Sequence, residues 1–325
     1  MGETNVFQIA AMTATFSGMV SISVALLIEK LGGKIGGILG GSPTVVVVAM
    51  LGLYYATANE DPQSVGEWEP FRKAAYGVPM GTCMSSLMFF VWRWGICYYD
   101  AASSGVMITT VIKVSLFAIL FWISLTTISL ILSQWVMIQT LGYDVAVPGL
   151  FFLFVNLISG IFQAFYLARP SPRSSAKSTP LILYLCRFTF SFIVVGSCII
   201  VAEYASPLLS GVVSTFPAIF VTTTATTWYN SGADVILGAI GPLSLSVVSV
   251  ALYGILSFYL FISFGPILGS IATYLLVTSC FTLPIALLLS LRSSVLVLEK
   301  IEENGDLEME ENISEQRSDE KTDEI

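Results

Sequence analysis

Two glutamates, a few hydroxyls and two prolines are the residues through which this chain could do chemistry. Glu29, Ser42, Pro43 and Thr44 lie in one stretch, EKLGGKIGGILGGSPTVVVV. Glu203, Ser214, Thr215 and Pro217 lie in another, EYASPLLSGVVSTFPAIFVT. At an offset of 174, Glu29 falls on Glu203, Gly37 on Gly211 and Pro43 on Pro217. Hydroxyls beside a helix-breaking proline suit the lining of a polar cavity or the coordination of an ion. They can equally bond back to their own helix carbonyls. The two glutamates are the acids at matched positions, read either as gate or coupling carboxylates or as plain solvated helix ends.

Other chemistries lack their residues. There is no histidine, which excludes His-based triads, imidazole metal ligation and a histidine proton relay. Cys83, Cys97, Cys186, Cys198 and Cys280 are scattered through apolar stretches without a CxxC pair, and read as small buried residues. No Asp/Glu cluster or Ser-Lys pair sits within an apolar stretch, so no acid–base or nucleophile constellation exists and the chain does not read as an enzyme. No cofactor and no metal site are expected, and no basic face supports nucleic-acid binding.

The elements that must position these residues are transmembrane helices. The chain is 55% hydrophobic and 11% charged, against roughly 25% charged residues in a globular protein. Such a chain cannot cover a water-facing surface, so the bilayer is its solvent and first partner. The net charge of -8 belongs to a tail: 12 of the 22 acids lie from Glu299 to Glu324. That tail is expected to be a disordered cytosolic appendage, open to a docking partner or phosphorylation. The N-terminus shows neither a cleaved signal peptide nor a myristoylation pattern.

Nine spans are expected, near 6–28, 35–56, 75–98, 108–132, 146–167, 181–202, 208–228, 238–262 and 267–290. The stretch from Met107 to Gly142 is long for one helix and short for two. With nine spans, twelve bases fall on one side and only Arg72 and Lys73 on the other. The positive-inside rule then places the N-terminus outside or in the lumen and the C-terminus in the cytosol. Arg93, Lys113 and Arg187 fall near cytosolic span ends and are expected to snorkel; Arg93, between Trp92 and Trp94, has a coupling or substrate role as its alternative.

The expected fold is all-α: a first four-helix repeat over 1–134 with an extracytosolic insertion at 57–73, and a linking helix within 135–167. A cytosolic Pro/Ser-rich loop at 168–180, a second repeat over 181–291 and the tail 292–325 follow. The odd linking helix makes the repeats enter the membrane in opposite directions, as in many secondary transporters. The second span of each repeat is rich in Gly and Pro. The third spans echo this with Gly77 and Pro79 in one and Gly238, Gly241 and Pro242 in the other. Such interruptions mark a transport site, or only close helix packing.

Glu29 or Glu203, then Gly37 or Gly211, then Pro43 or Pro217, with three further spans following, resembles the small four-helix bacterial membrane proteins of the GlpM-like type. The resemblance is best over Glu203 to Leu291, and implies a duplicated module rather than a substrate. The function expected is a transporter-like permease for a small solute or ion. The alternative is a scaffold, assembly or sorting protein acting through its tail and cytosolic loop. Oligomeric state is not legible.

Overall fold

The computed structural model describes residues 3–31, 42–57, 68–100, 108–169 and 181–292, and every regular element among them is helical. The glycine run before Ser42, most of the 57–73 insertion, most of the 168–180 loop and the tail lie outside the described residues. The helices are α1 (Glu3–Leu31), α2 (Thr44–Thr57), α3 (Glu69–Asp100), α4 (Ile108–Thr140), α5 (Ala146–Tyr166) and α6 (Leu181–Tyr204), followed by α7 (Pro207–Val213), α8 (Ala218–Ser231), α9 (Ala233–Phe264) and α10 (Pro266–Arg292). Among the described residues eight apolar helical stretches are long enough to cross a membrane, α7 and α8 together forming one of them. The fourteen-residue α2 is shorter. Residues 108–140 form one helix, its last turns widened to π geometry over Leu132–Thr140. That single helix answers the ambiguity of 107–142. Residues 284–325 form a separate unit, described only as the end of α10.

α3 and α9, each of 32 residues with an internal proline (Pro79, Pro242), form the centre. Of their span-forming stretches 89% and 83% of the residues are buried, against 28% for α4. Small residues let backbones meet there. A Cβ on Gly254 of α9 would lie 2.6 Å from Val78 of α3. One on Gly211 of α7 would lie 1.9 Å from the Ala74 carbonyl, and one on Gly81 2.6 Å from the Val212 carbonyl. Such spacing is what helices need when apolar lipid offers no hydrophobic drive to association.

Around this centre α1 packs on α6 and α2, α5 lies against both α3 and α9, and α4 meets α3 and α8. Outward faces carry large apolar side chains, including Ile112, Leu116, Leu120 and Ile123 on α4 and Phe7 and Phe16 on α1. Exposed Leu, Ile and Phe in place of charges are the surface of a protein solvated by hydrocarbon. Glycines with positive φ at Gly232 (88°) and Gly265 (76°) each join two helices through a single residue. A residue with a Cβ would be strained there.

Two apolar cores fill the bundle. One gathers Met80, Met88, Phe89, Trp92, Trp122, Trp228, Ile240 and Val247. The other gathers Met50, Leu53, Phe71, Val78, Val195, Ile199, Tyr253 and Phe261. The two meet on α3 near Tyr76–Met80 and on α9 near Val247–Val250.

Candidate functional site

The site begins with two prolines. In α7–α8 the helix stops at Val213, and Ser214 to Pro217 form a turn before α8 starts at Ala218. Ala218 N–H donates to the Phe216 carbonyl at 2.8 Å and Val221 N–H to the Pro217 carbonyl at 2.8 Å. Pro217, at φ -78° and ψ 38°, centres a γ-type turn that its fixed φ favours. In the first half, Thr44 N–H donates to the Ser42 carbonyl at 2.8 Å and Val47 N–H to the Pro43 carbonyl at 2.9 Å. The four bonds correspond pair by pair at the offset of 174. So do the helices that follow, Thr44–Thr57 and Ala218–Ser231, each of fourteen residues.

Both turns open on one cavity of about 60 Å³. Its walls are Ser42 to Val46 at the start of α2, Thr82 of α3, Ser191, Val194 and Val195 of α6, Ser214 to Phe216 with Ala218 to Phe220, and Val250 of α9. That volume holds a few waters or one small ion, far below the ~300 Å³ of a drug-sized site. Among the described residues no charged side chain lines it. A larger cleft of about 300 Å³ lies between α3 and α4, lined by Trp94, Tyr99 and Lys113 among others. It carries the aromatic and basic residues usual at a membrane–water boundary.

The expected site residues fall as follows. Ser42, Pro43, Thr44, Ser214 and Thr215 meet at the cavity. Pro217 is buried in the turn but is not a lining residue. Glu203 is exposed near the end of α6, away from the cavity. Glu29 lies in α1, and its side chain is outside the described residues.

At the second break most of the carbonyls expected to await solvent or solute are engaged within the protein, while the glycine run of the first lies outside the described residues. Ser214 Oγ donates to the Gly211 carbonyl at 2.7 Å and Thr215 Oγ1 to that of Val212 at 2.7 Å. Phe216 N–H serves Val213, and Ser85 Oγ serves Thr215 at 3.3 Å. The turn's own hydroxyls and a neighbouring serine occupy these acceptors. Donors remain: among the described residues no acceptor serves the N–H groups of Ile219 and Phe220, in the first turn of α8. Helix geometry leaves first-turn N–H groups without an intrahelical partner.

Snorkelling of Arg187 is also overturned. Its side chain is 4% exposed and donates to Thr226 Oγ1 at 3.1 Å. It lies four residues from Ser191 and so on the same face of α6. Arg93 is half-buried and donates to the Leu167 carbonyl, and Lys113 is exposed.

Beside the cavity lies a polar knot that sequence reading missed. Ser86 Oγ is 2.9 Å from Ser159 Oγ and 2.8 Å from Ser244 Oγ. Gln163 Nε2 donates to Ser244 Oγ at 2.7 Å and to the Ser86 carbonyl at 2.9 Å. Asn156, halfway along α5, is fully buried, and neither amide atom has a hydrogen-bond partner among the described residues. The missed signal was an Asn and a Gln seven residues apart, hence on one helix face, inside an otherwise apolar span.

By length and composition this is an all-helical, multi-pass membrane protein with a small, largely apolar cavity between two matched proline turns. No family model, curated protein or solved structure matches the chain.

Proposed function

We propose that the chain is a permease for a small solute or ion, acting through the cavity where the two breaks meet. The observation that carries this reading is the correspondence of the two turns, equal in backbone hydrogen bonds and in the length of the helix that follows, both opening on one space. Interrupted helices at matching positions of two halves are the arrangement by which many carriers build a site.

The reading includes nine crossings in two inverted four-helix repeats, with α2 as the short crossing. Contacts between span ends support the alternation. Strict alternation puts the start of α3 and the loop before α5 on one face, and Arg72 binds Asp144. It puts the ends of α2 and α9 on that face too, and the Tyr54 ring lies 5.4 Å from Phe71 and 5.8 Å from Phe261. On the opposite face Arg93 of α3 meets Leu167 after α5. Were 107–142 two crossings, Arg72 and Asp144 would lie on opposite sides.

The pairing of helices supports the duplication. The first spans of the halves, α1 and α6, pack together, as do the third spans, α3 and α9. α4 packs on α8, and its counterpart α10 packs on α2.

The test is flux in proteoliposomes of the full chain, with folded yield measured in parallel. Pro43→Ala and Pro217→Ala should lower flux more than yield, since each tends to heal a helix without altering a core. Glu29→Gln and Glu203→Gln should change pH or ion dependence if the glutamates couple, and change nothing if they only solvate helix ends. Normal flux in all four would remove the site. Absence of flux for any solute, with a phenotype lost on deleting the tail, would favour the scaffold reading.

A further inference from the structure

We infer that the solute held in the cavity is a small anion, an inference that rests on the permease reading and narrows it. The backbone supplies the first reason. α2 and α8 both begin at the cavity wall, so two helix N-termini, each equivalent to roughly half a positive charge, face one volume. The acceptors of the Ser214–Pro217 turn are largely engaged, while Ile219 and Phe220 keep first-turn N–H groups without acceptors among the described residues. A site with donors left over and acceptors used is matched to negative charge.

The second reason is independent of the helix ends. Ser191 Oγ has no partner among the described residues, is 2% exposed, and belongs to the cavity lining. An orphaned hydroxyl so deeply buried calls for a ligand or a water. As a donor it adds to the two N-termini from a third helix. Among the described residues no carboxylate lines the cavity to oppose them. A cation would meet this field without a charged ligand among the described residues, whereas an anion meets donors on several sides. Ser214, Thr215 and Thr82 spend their protons on helix carbonyls, so they shape the seat rather than ligate. The volume of about 60 Å³ restricts the occupant to the size of a halide, nitrate or formate.

The test uses the purified full chain. Thermal midpoints are measured in sodium chloride, nitrate and formate against sodium gluconate at equal ionic strength, then with potassium or lithium replacing sodium. The expected result is a saturable rise with one or more small anions, indifferent to the cation. Ser191→Ala, which removes no hydrogen bond described in the fold, should weaken the apparent affinity about tenfold. Ser191→Asp should abolish the rise. Dependence on the cation alone, no salt effect, or an anion effect unchanged in Ser191→Ala would overturn the inference. Flux of the same ions, measured on the same preparations, separates the two proposals. Flux of a cation or neutral solute without anion binding keeps the permease and removes the anion. Saturable anion binding lost in Ser191→Asp, with no flux, keeps the anion and removes the permease.

Discussion

At the scale of the residue, position relative to neighbours decides what a polar group is worth. Ser86 ties Ser159 and Ser244 together, and its backbone carbonyl accepts from Gln163. Ser86→Ala should therefore cost about 1 kcal/mol, within the range of buried hydrogen bonds in soluble and membrane proteins. Asn156 has no such partners. Asn156→Leu should leave stability unchanged or raise it, because an unpaired buried amide costs free energy that an apolar side chain does not. Thermal midpoints of both variants decide the matter, and a larger loss for Asn156→Leu would reveal a bond the description lacks. Neither residue was singled out in the sequence, because single serines and amides carry no pattern until the helices that bring them together are known. Arg187 was misread for the same reason. Six residues into a helix, a long cation can as well turn inward as reach water, and what faces it decides, the Thr226 hydroxyl of α8 included.

At the scale of the element, the glycines proved to have separate duties. Gly211, read with Pro217 as part of one break, is a packing residue: a Cβ there would meet the Ala74 carbonyl at 1.9 Å. Gly211→Ala should cost about 1–3 kcal/mol, as overpacking does. Gly196 in α6 is a control, since its added Cβ would find Ala14 at an ordinary 3.5 Å. Gly196→Ala should stabilise by about 0.5–1 kcal/mol through helix propensity. Equal costs at the two positions, read from chemical or thermal denaturation, would mean that the α3–α7 contact is looser than described. The long apolar helices and the break at Pro217 were legible because apolar length and proline act locally. The partition of the glycines was not, since it depends on which backbone lies across from each.

At the scale of the whole molecule, orientation and pH response follow from the ends of the helices. Labels placed in the Glu60–Glu69 loop should react from outside sealed cells, and labels in the 298–325 tail only after permeabilisation. The sequon Asn312-Ile313-Ser314 should stay unglycosylated. Loop and tail on one side would dissolve the inverted arrangement. Asp144, between α4 and α5, accepts from Arg72 and from the Ala146 N–H, which together hold its carboxyl below its ordinary value. A depressed carboxylate contributes stability that is fully present above about pH 4, its unfolded value, and is lost as pH falls through the folded one. Asp144→Asn should flatten the acid side of the stability profile by removing a small contribution at neutral pH, small because the pair is half-exposed, and should converge with the parent protein in acid. A profile identical to that of the parent protein would mean that the pair is solvated away.

The residues standing before the two prolines differ as much as side chains can. Ser42 and Phe216 occupy equivalent places, and their carbonyls receive equivalent bonds from Thr44 and Ala218 at the same 2.8 Å. The same turn therefore forms over a hydroxymethyl and over a benzyl group, the latter set edge-on against Trp122 at 5.2 Å. Its shape is dictated by the proline ring, which restricts its own φ and disfavours helix in the residue before it. That position is consequently a free variable. It can be rewritten to retune what the cavity admits, by lineage or by design, while the scaffold that presents it stays as it is.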